Sequence, residues 1–167
     1  MADAGNARNP EPQASRPHMD GYDVPRVLEG ILPWEWARKR LSKSHNYWLT
    51  TTRPDGAPHT MPVWGIWLNG AWYCSTDALS RKARNLAKNP YCVVCTEDAE
   101  EAVILEGVAR KLPAPEIPRQ AFVDYQAKYS WELGSTTGSV LLEVRPRVIF
   151  AMPENQFPNG VTRWNFA

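Results

Sequence analysis

Between residues 46 and 76 the chain alternates β-prone runs with turn dipeptides, a pattern that leaves little alternative to an antiparallel meander. Residues 46–53 lead through Pro54-Asp55-Gly56-Ala57 into 58–68, and Asn69-Gly70 then reverses the chain into 71–76. Asp-Gly and Asn-Gly supply the positive φ that tight hairpins require. A two-residue turn at Asn69-Gly70 pairs Trp67 with Trp72, Trp64 with Ser75 and Val63 with Thr76. With Asp55-Gly56 as the other turn, Thr50 lies opposite Met61 and Thr52 opposite His59, so residues 59–64 are expected to be flanked on both sides. Pro58 and Pro62 are unexpected in a central strand, because proline cannot donate to the ladder. A bulge or a stretch of exposed backbone is expected there.

The remaining elements follow from spacing. Trp34, Ala37 and Leu41 recur at helical intervals behind Pro33, which predicts a helix ending near Ser44. A short helix opens at Ser80 and stops at Asn89-Pro90, and strands follow near 91–97 and 102–111. Pro113, Pro115 and Pro118 form a stiff connector, Phe122, Tyr125, Gln126 and Tyr129 predict another helix, and 139–151 reads as a long strand. The tail, 153–167, reads as irregular but carries the cluster Thr162-Arg163-Trp164-Asn165-Phe166. About six antiparallel strands and two or three helices, one interrupting the strand series, define an α+β closed or split β-barrel. Residues 1–22, rich in Ala, Asn, Pro and charge without apolar periodicity, are expected to be a disordered arm. Residues 23–167 then form one domain, large enough to bury a core without disulfides.

Lys plus Arg number 19 against 18 Asp plus Glu, so the net charge of +1 argues against a nucleic-acid partner and any anion recognition must be local. No apolar stretch approaches the roughly 20 residues of a membrane span, and residues 1–16 lack a signal-peptide core. No membrane partner is expected. Cys74, Cys92 and Cys95 sit in strand-like apolar runs and read as reduced thiols of a soluble, cytoplasmic protein. Cys92 and Cys95 have C-x-x-C spacing, but in a strand they face opposite ways, so neither a redox pair nor a metal clamp follows.

One short segment breaks a physical rule. Ser80 is a natural N-cap, yet Arg81 and Lys82 follow it where the helix dipole favours acids, and Ala83 stands where a capping-box Glu would sit. A phosphate there would use the free backbone N–H groups, the Ser80 hydroxyl and both cations; the alternative is a solvated basic helix start. Ser75 and Thr76 end a strand just before Ser80. One groove can therefore be lined by the backbone of Met61, Pro62, Val63 and Trp64, by those hydroxyls and by the helix start, with a flat ring along the strand and its phosphate at Arg81 and Lys82.

The order of these signals, a D-G turn, G-x-P-H-x-x-P-V, an N-G turn, Y-x-S-T and S-R-K-A-x-N-L-x-x-N-P, resembles the pyridoxamine-phosphate oxidase superfamily of flavin-binding split barrels. The resemblance runs from about 33 to 111 and more weakly to Arg163-Trp164. It implies a homodimer with two FMN sites at the subunit interface. By it, residues 61–66 hold the ring, Ser75 and Thr76 lie near the ribityl chain, Arg81 and Lys82 grip the phosphate, and Arg163 and Trp164 approach from the neighbouring chain. Ala102 stands where the family often places a Gln against the ring. Met61 and Ile66 replace an Arg and a substrate-phosphate Lys, and Arg163 is followed by Trp164 and Asn165 rather than completing Arg-x-His, so oxidation of pyridoxamine phosphate is not expected.

The pattern is more similar to the flavin and deazaflavin oxidoreductase branch, which implies FMN or the deazaflavin coenzyme F-420. The expected chemistry is hydride transfer between the ring and a small planar substrate, with the protein supplying orientation and electrostatics. No catalytic residue is assigned. His59 is read either as a proton donor or as a structural hydrogen-bonding residue, and haem handling lacks a histidine in a convincing axial context. Trp67 and Trp72 are read as packing, Trp64 as a groove wall and Trp164 as the ring contact. Arg53, Arg84 and Lys88 are open between surface charges and partners of an acidic cofactor tail. A non-catalytic module that stores, carries or senses flavin is the alternative from another class.

Overall fold

A computed structural model describes residues 11–167. The elements run β1 (Gln13–Ser15), α1 (Trp34–Lys43), β2 (Asn46–Thr52), β3 (Pro58–Trp64), β4 (Ile66–Leu68), β5 (Ala71–Asp77), α2 (Arg81–Lys88), β6 (Tyr91–Thr96), β7 (Glu101–Leu112), α3 (Arg119–Tyr129), β8 (Ser139–Pro153) and β9 (Thr162–Asn165). Side-chain alternation orients the strands: in β2, Tyr47, Leu49 and Thr51 are buried while Trp48 between them is 46 % exposed. The sheet is antiparallel throughout, in the order β3-β2-β6-β7-β8-β5 around the barrel. β3 and β5 form no ladder with each other. They face one another across a groove, and that unpaired seam splits the barrel.

The fold is α+β, as the sequence implied, with nine strands among the described residues rather than about six. The barrel strands are the six expected; the difference lies in three short pieces. Residues 58–68, read as one strand, break at Gly65 into β3 and β4, where the backbone passes so close to the buried Trp72 ring that a Cβ would stand 2.3 Å from it. Residues 162–165, read as irregular, form β9 against β8, and Gln13–Ser15, placed in the expected disordered arm, forms β1 against β9. Arg16 fastens this part of the arm by donating to four carbonyls, of Val27, Glu29, Asn159 and Val161. Residues 1–10 of that arm lie outside the described residues.

Two registers are corrected. Thr50 lies opposite Thr60, and Met61 opposite Leu49, one residue from the expected pairing. The loop is Pro54-Asp55-Gly56, closed by Gly56 N–H to Arg53 O and Arg53 N–H to Ala57 O, with Gly56 at φ +85°, and three residues shift the register by one relative to a two-residue turn. At Asn69-Gly70 the Trp67–Trp72 pair forms as expected, but the ladder ends at Ile66 opposite Tyr73. Trp64 and Val63 therefore do not pair with Ser75 and Thr76, which bond to Leu141 and Val140 of β8 instead. β3 is an edge strand bonded only to β2, which accounts for Pro58 and Pro62.

The main core fills the barrel with Tyr47, Leu49, Trp72, Val94, Leu105, Val144 and Ile149, and α1 contributes Ala37 and Leu41. A second core lies under α3, where Ala121 and Tyr125 meet Ile66, Tyr73, Leu112 and Leu141. This places α3 beside the strand break at Gly65.

Candidate functional site

The seam groove measures about 410 Å³ and is lined by Asn46, Pro62, Val63, Trp64, Ser75, Lys82 and Tyr125. Its volume lies in the range of small-molecule sites, roughly 300–1,000 Å³. One wall is the free edge of β3. The end of β5 and the first turn of α2 form the other, and α3 contributes Tyr125.

At the helix start the expected N-cap forms. Ser80 caps α2 by accepting from Ala83 N–H at 3.2 Å, and its hydroxyl lies 3.1 Å from that of Thr76. The first turn contains no acidic residue, and among the described residues neither Arg81 nor Lys82 forms an ion pair. Lys82 faces the groove whereas Arg81 is exposed beside it. α2 is held on the barrel by Leu86 and by buried Asn85, whose amide donates to Thr51 Oγ1 at 3.0 Å.

Of the eleven residues singled out from sequence, Pro62, Val63, Trp64, Ser75 and Lys82 line the groove. Thr76, Ser80 and Arg81 adjoin it through the cap, and Met61 is a half-exposed neighbour on β3. Trp164 is corrected. At 1 % exposure it packs edge-on against Trp34 at 5.5 Å in its own core, so its ring is not presented to a groove on another chain. Arg163 lies on β9, away from this groove, and its Nε donates to Ser15 Oγ at 3.0 Å. His59 does not line the groove either, and its Nδ1 is buried without a partner.

Sequence reasoning missed Asn46 and the inner face of α3. The correct hairpin register sets Asn46 opposite Trp64, so a three-residue loop would have revealed it. Tyr125 and Tyr129, one turn apart, were visible only as helix periodicity. Trp64 stacks on Tyr129, with centroids 4.8 Å apart and planes 9° apart. Tyr129 Oη accepts Gly65 N–H at 2.9 Å and lies 2.7 Å from the carbonyls of both His45 and Gly65. Lys128 Nζ donates to Gly65 O at 2.9 Å and to Tyr47 Oη at 3.0 Å. Both polar groups of the Gly65 peptide are thus occupied by α3.

Burial pushes the Lys128 ammonium down to about 8, with the charge of Glu97 acting weakly the other way. Because the unfolded chain holds this proton up to about pH 10.5, it binds more protons than the folded chain between about pH 8 and 10.5, and stability contributed here rises with pH across that window. Comparing wild type with Lys128→Met by urea unfolding at pH 7, 8.5 and 10 should show the difference moving in favour of wild type as pH rises. A constant difference would contradict the assignment. Burial also pushes Cys74 and Cys92 up to about 12, so neither is poised as a nucleophile.

A barrel open at one seam, with the cation-bearing start of α2 beside the opening, defines a split β-barrel. The chain belongs to the pyridoxamine 5'-phosphate oxidase family, whose profile matches residues 34–152. An F420 reductase shares the fold at TM-score 0.57 and 21% identity, over 67% of this chain and 94% of that one. A conserved hypothetical protein from Mycobacterium tuberculosis matches at TM-score 0.65 and 22% identity, over 75% and 87%. HutZ, a haem storage protein from Vibrio cholerae, matches at 0.57 and 17%, over 71% and 90%. At these identities the likeness speaks to fold alone. No curated protein sequence matches. Among the described residues no helix is long and apolar enough to cross a membrane.

Proposed function

We propose that this chain is a flavin- or deazaflavin-dependent oxidoreductase that binds FMN in the seam groove, with coenzyme F-420 as the alternative cofactor. The observation that carries the reading is the juxtaposition of Ser75 and Lys82, at an acid-free helix start, with Pro62, Val63, Trp64 and Tyr125 in the lining of one groove. Such a groove fits a molecule with an anionic head and a flat ring. Arg81, Lys82, the Ser80 hydroxyl and the backbone N–H groups of the first turn would hold the phosphate, with Ser75 and Thr76 beside the linking chain. The free backbone edge of Met61 to Trp64 would orient the ring. Tyr125 and the Trp64–Tyr129 stack would exclude water from one side. When bound, the ring supplies reversible hydride transfer to or from a small planar substrate. Met61 and Ile66 provide no cation for a substrate phosphate, which supports a reaction other than pyridoxamine-phosphate oxidation.

The reading includes a homodimer. The outer sheet face carries a continuous row, Pro62-Trp48-Cys95-Ile104-Phe150, one residue per strand from β3 to β8 and ending at Arg163 of β9. Trp48 is 46 % exposed and Tyr91, nearby on β6, is 55 % exposed. An apolar face of this extent favours burial against a second copy. Trp48→Glu should convert a dimer to monomer in sedimentation velocity while the far-UV spectrum stays unchanged; an unaltered sedimentation coefficient would contradict this interface.

A second reading, a flavin store or carrier, is favoured by one observation: apart from Lys82 and Tyr125, no residue lining the groove carries a titratable side chain. Titrating the purified chain with FMN and with F-420, then reducing the complex and offering quinone acceptors, tests both. Tight binding with turnover supports the oxidoreductase, binding without turnover supports the store, and no binding of either cofactor refutes both.

A further inference from the structure

A second cleft, of about 490 Å³, lies at the other end of α2 and is lined by Thr52, Arg53, Pro54, Gly56, Lys88 and Asn89. It shares no lining residue with the seam groove. The eight residues of α2 set the helix ends roughly 12 Å apart, at 1.5 Å per residue.

The cleft is lined by donor side chains and contains no carboxylate, and Lys88 sits in the last turn of α2, where a cation offsets the negative end of the helix dipole. Arg53 Nε is buried with no hydrogen-bond partner, an unmade bond costing about 1–3 kcal/mol or more for a charged group. Its backbone is fully used, since Arg53 N–H and C=O close the hairpin loop, so the guanidinium is the part of the residue left over. Among the described residues neither Arg53 nor Lys88 forms an ion pair. The hairpin's own acid, Asp55, is exposed and turned to Ala57 N–H at 3.0 Å. Asn89 Oδ1 accepts Tyr91 N–H at 3.1 Å, which leaves its amide N–H groups as donors. His59 Nδ1, the other partnerless nitrogen in this hairpin, lies opposite Thr51, to which Asn85 of α2 bonds.

We propose that this cleft binds an oxyanion, carboxylate or phosphate, gripped by the Arg53 guanidinium, with Lys88 as the second cation and Thr52 and Asn89 as neutral donors. The oxyanion is either a free small anion or an acidic extension of a ligand seated in the seam groove, one helix length away. Its existence does not depend on the function proposed above.

The test uses the whole chain and inorganic phosphate as probe. Followed by the Arg53 Nε–Hε resonance in ¹⁵N spectra, phosphate should produce a saturable shift, with affinity at least tenfold weaker in Lys88→Gln and unchanged in the Arg81→Ala, Lys82→Ala double variant. A resonance that does not move, in a wild-type protein that needs no mutation to remain folded, overturns the proposal. Two ligands then separate the sources. If Arg53→Gln weakens F-420, which carries carboxylates beyond its phosphate, by tenfold or more and leaves FMN unchanged, the oxyanion belongs to the groove ligand; if both are unchanged while phosphate still shifts the resonance, it is a free anion. Failure of FMN to bind would count against the function and leave the phosphate titration readable.

Discussion

Replacing Arg81 and Lys82 together by Ala should weaken FMN binding by two to three orders of magnitude while riboflavin, which lacks the phosphate, changes by less than about threefold. Charged hydrogen bonds contribute about 1.5–3 kcal/mol each, and two such groups acting on one dianion reach that range even without full additivity. Lys82 lines the groove and Arg81 is exposed beside it, so Lys82→Ala alone should account for the larger share. The apo protein should respond in the opposite sense. Two cations in the first turn oppose the helix dipole at about 0.3–1 kcal/mol each, so their removal should raise the melting temperature slightly. Weaker FMN binding in a slightly more stable protein is the signature of residues retained for a ligand rather than for the fold. Isothermal titration with FMN and riboflavin, and thermal unfolding without either, measure both effects. Equal loss for the two ligands would remove the phosphate from this helix, and a lower melting temperature would show that the cations serve the structure.

How far the sequence carried the description follows from which forces act locally. The helix start was legible because capping and dipole effects depend on residues 80–83 alone, and Ser80 caps α2 by bonding Ala83 N–H as its position predicted. The six barrel strands were legible through turn signals and alternation. Pairing was less so, because register depends on loop geometry: Pro54-Asp55-Gly56 forms a three-residue loop, and that single residue moved Asn46 opposite Trp64 and into the groove. Trp164 was misread for a different reason. A short aromatic-basic motif does not show which way a β9 side chain faces, and here Trp164 and Thr162 face the core while Arg163 and Asn165 face out. The contribution of α3 was hidden altogether, since Lys128 and Tyr129 meet Gly65 across more than sixty residues of chain. Only the folded barrel brings them to the break in the strand.

That break is where the largest loss of stability is expected. Gly65→Ala would set a methyl group 2.3 Å from Cζ2 and 2.4 Å from Cε2 of Trp72. Trp72 cannot yield easily: it is fully buried and packs edge-on against Tyr47, itself fully buried, at 5.4 Å. The backbone must move instead, and the bonds from Lys128 and Tyr129 to the Gly65 peptide must loosen with it. Overpacking costs typically 1–3 kcal/mol, and weakening two hydrogen bonds adds up to about 1 kcal/mol apiece, so a loss of at least about 3 kcal/mol is expected. For a chain of this size a loss of about 3 kcal/mol already lowers the melting temperature by roughly 6–12 °C. Gly56→Ala provides the control, because a Cβ there meets nothing within 4 Å and the cost is confined to holding alanine at φ +85°, about 1–2 kcal/mol. Because Gly65 immediately follows the groove strand, its displacement should also weaken FMN and riboflavin alike, in contrast to the phosphate-selective loss from Arg81 and Lys82. A Gly65→Ala protein melting within about 1 °C of wild type would mean that Trp72 has room to retreat, and that the close passage of the chain over its ring is not what divides β3 from β4.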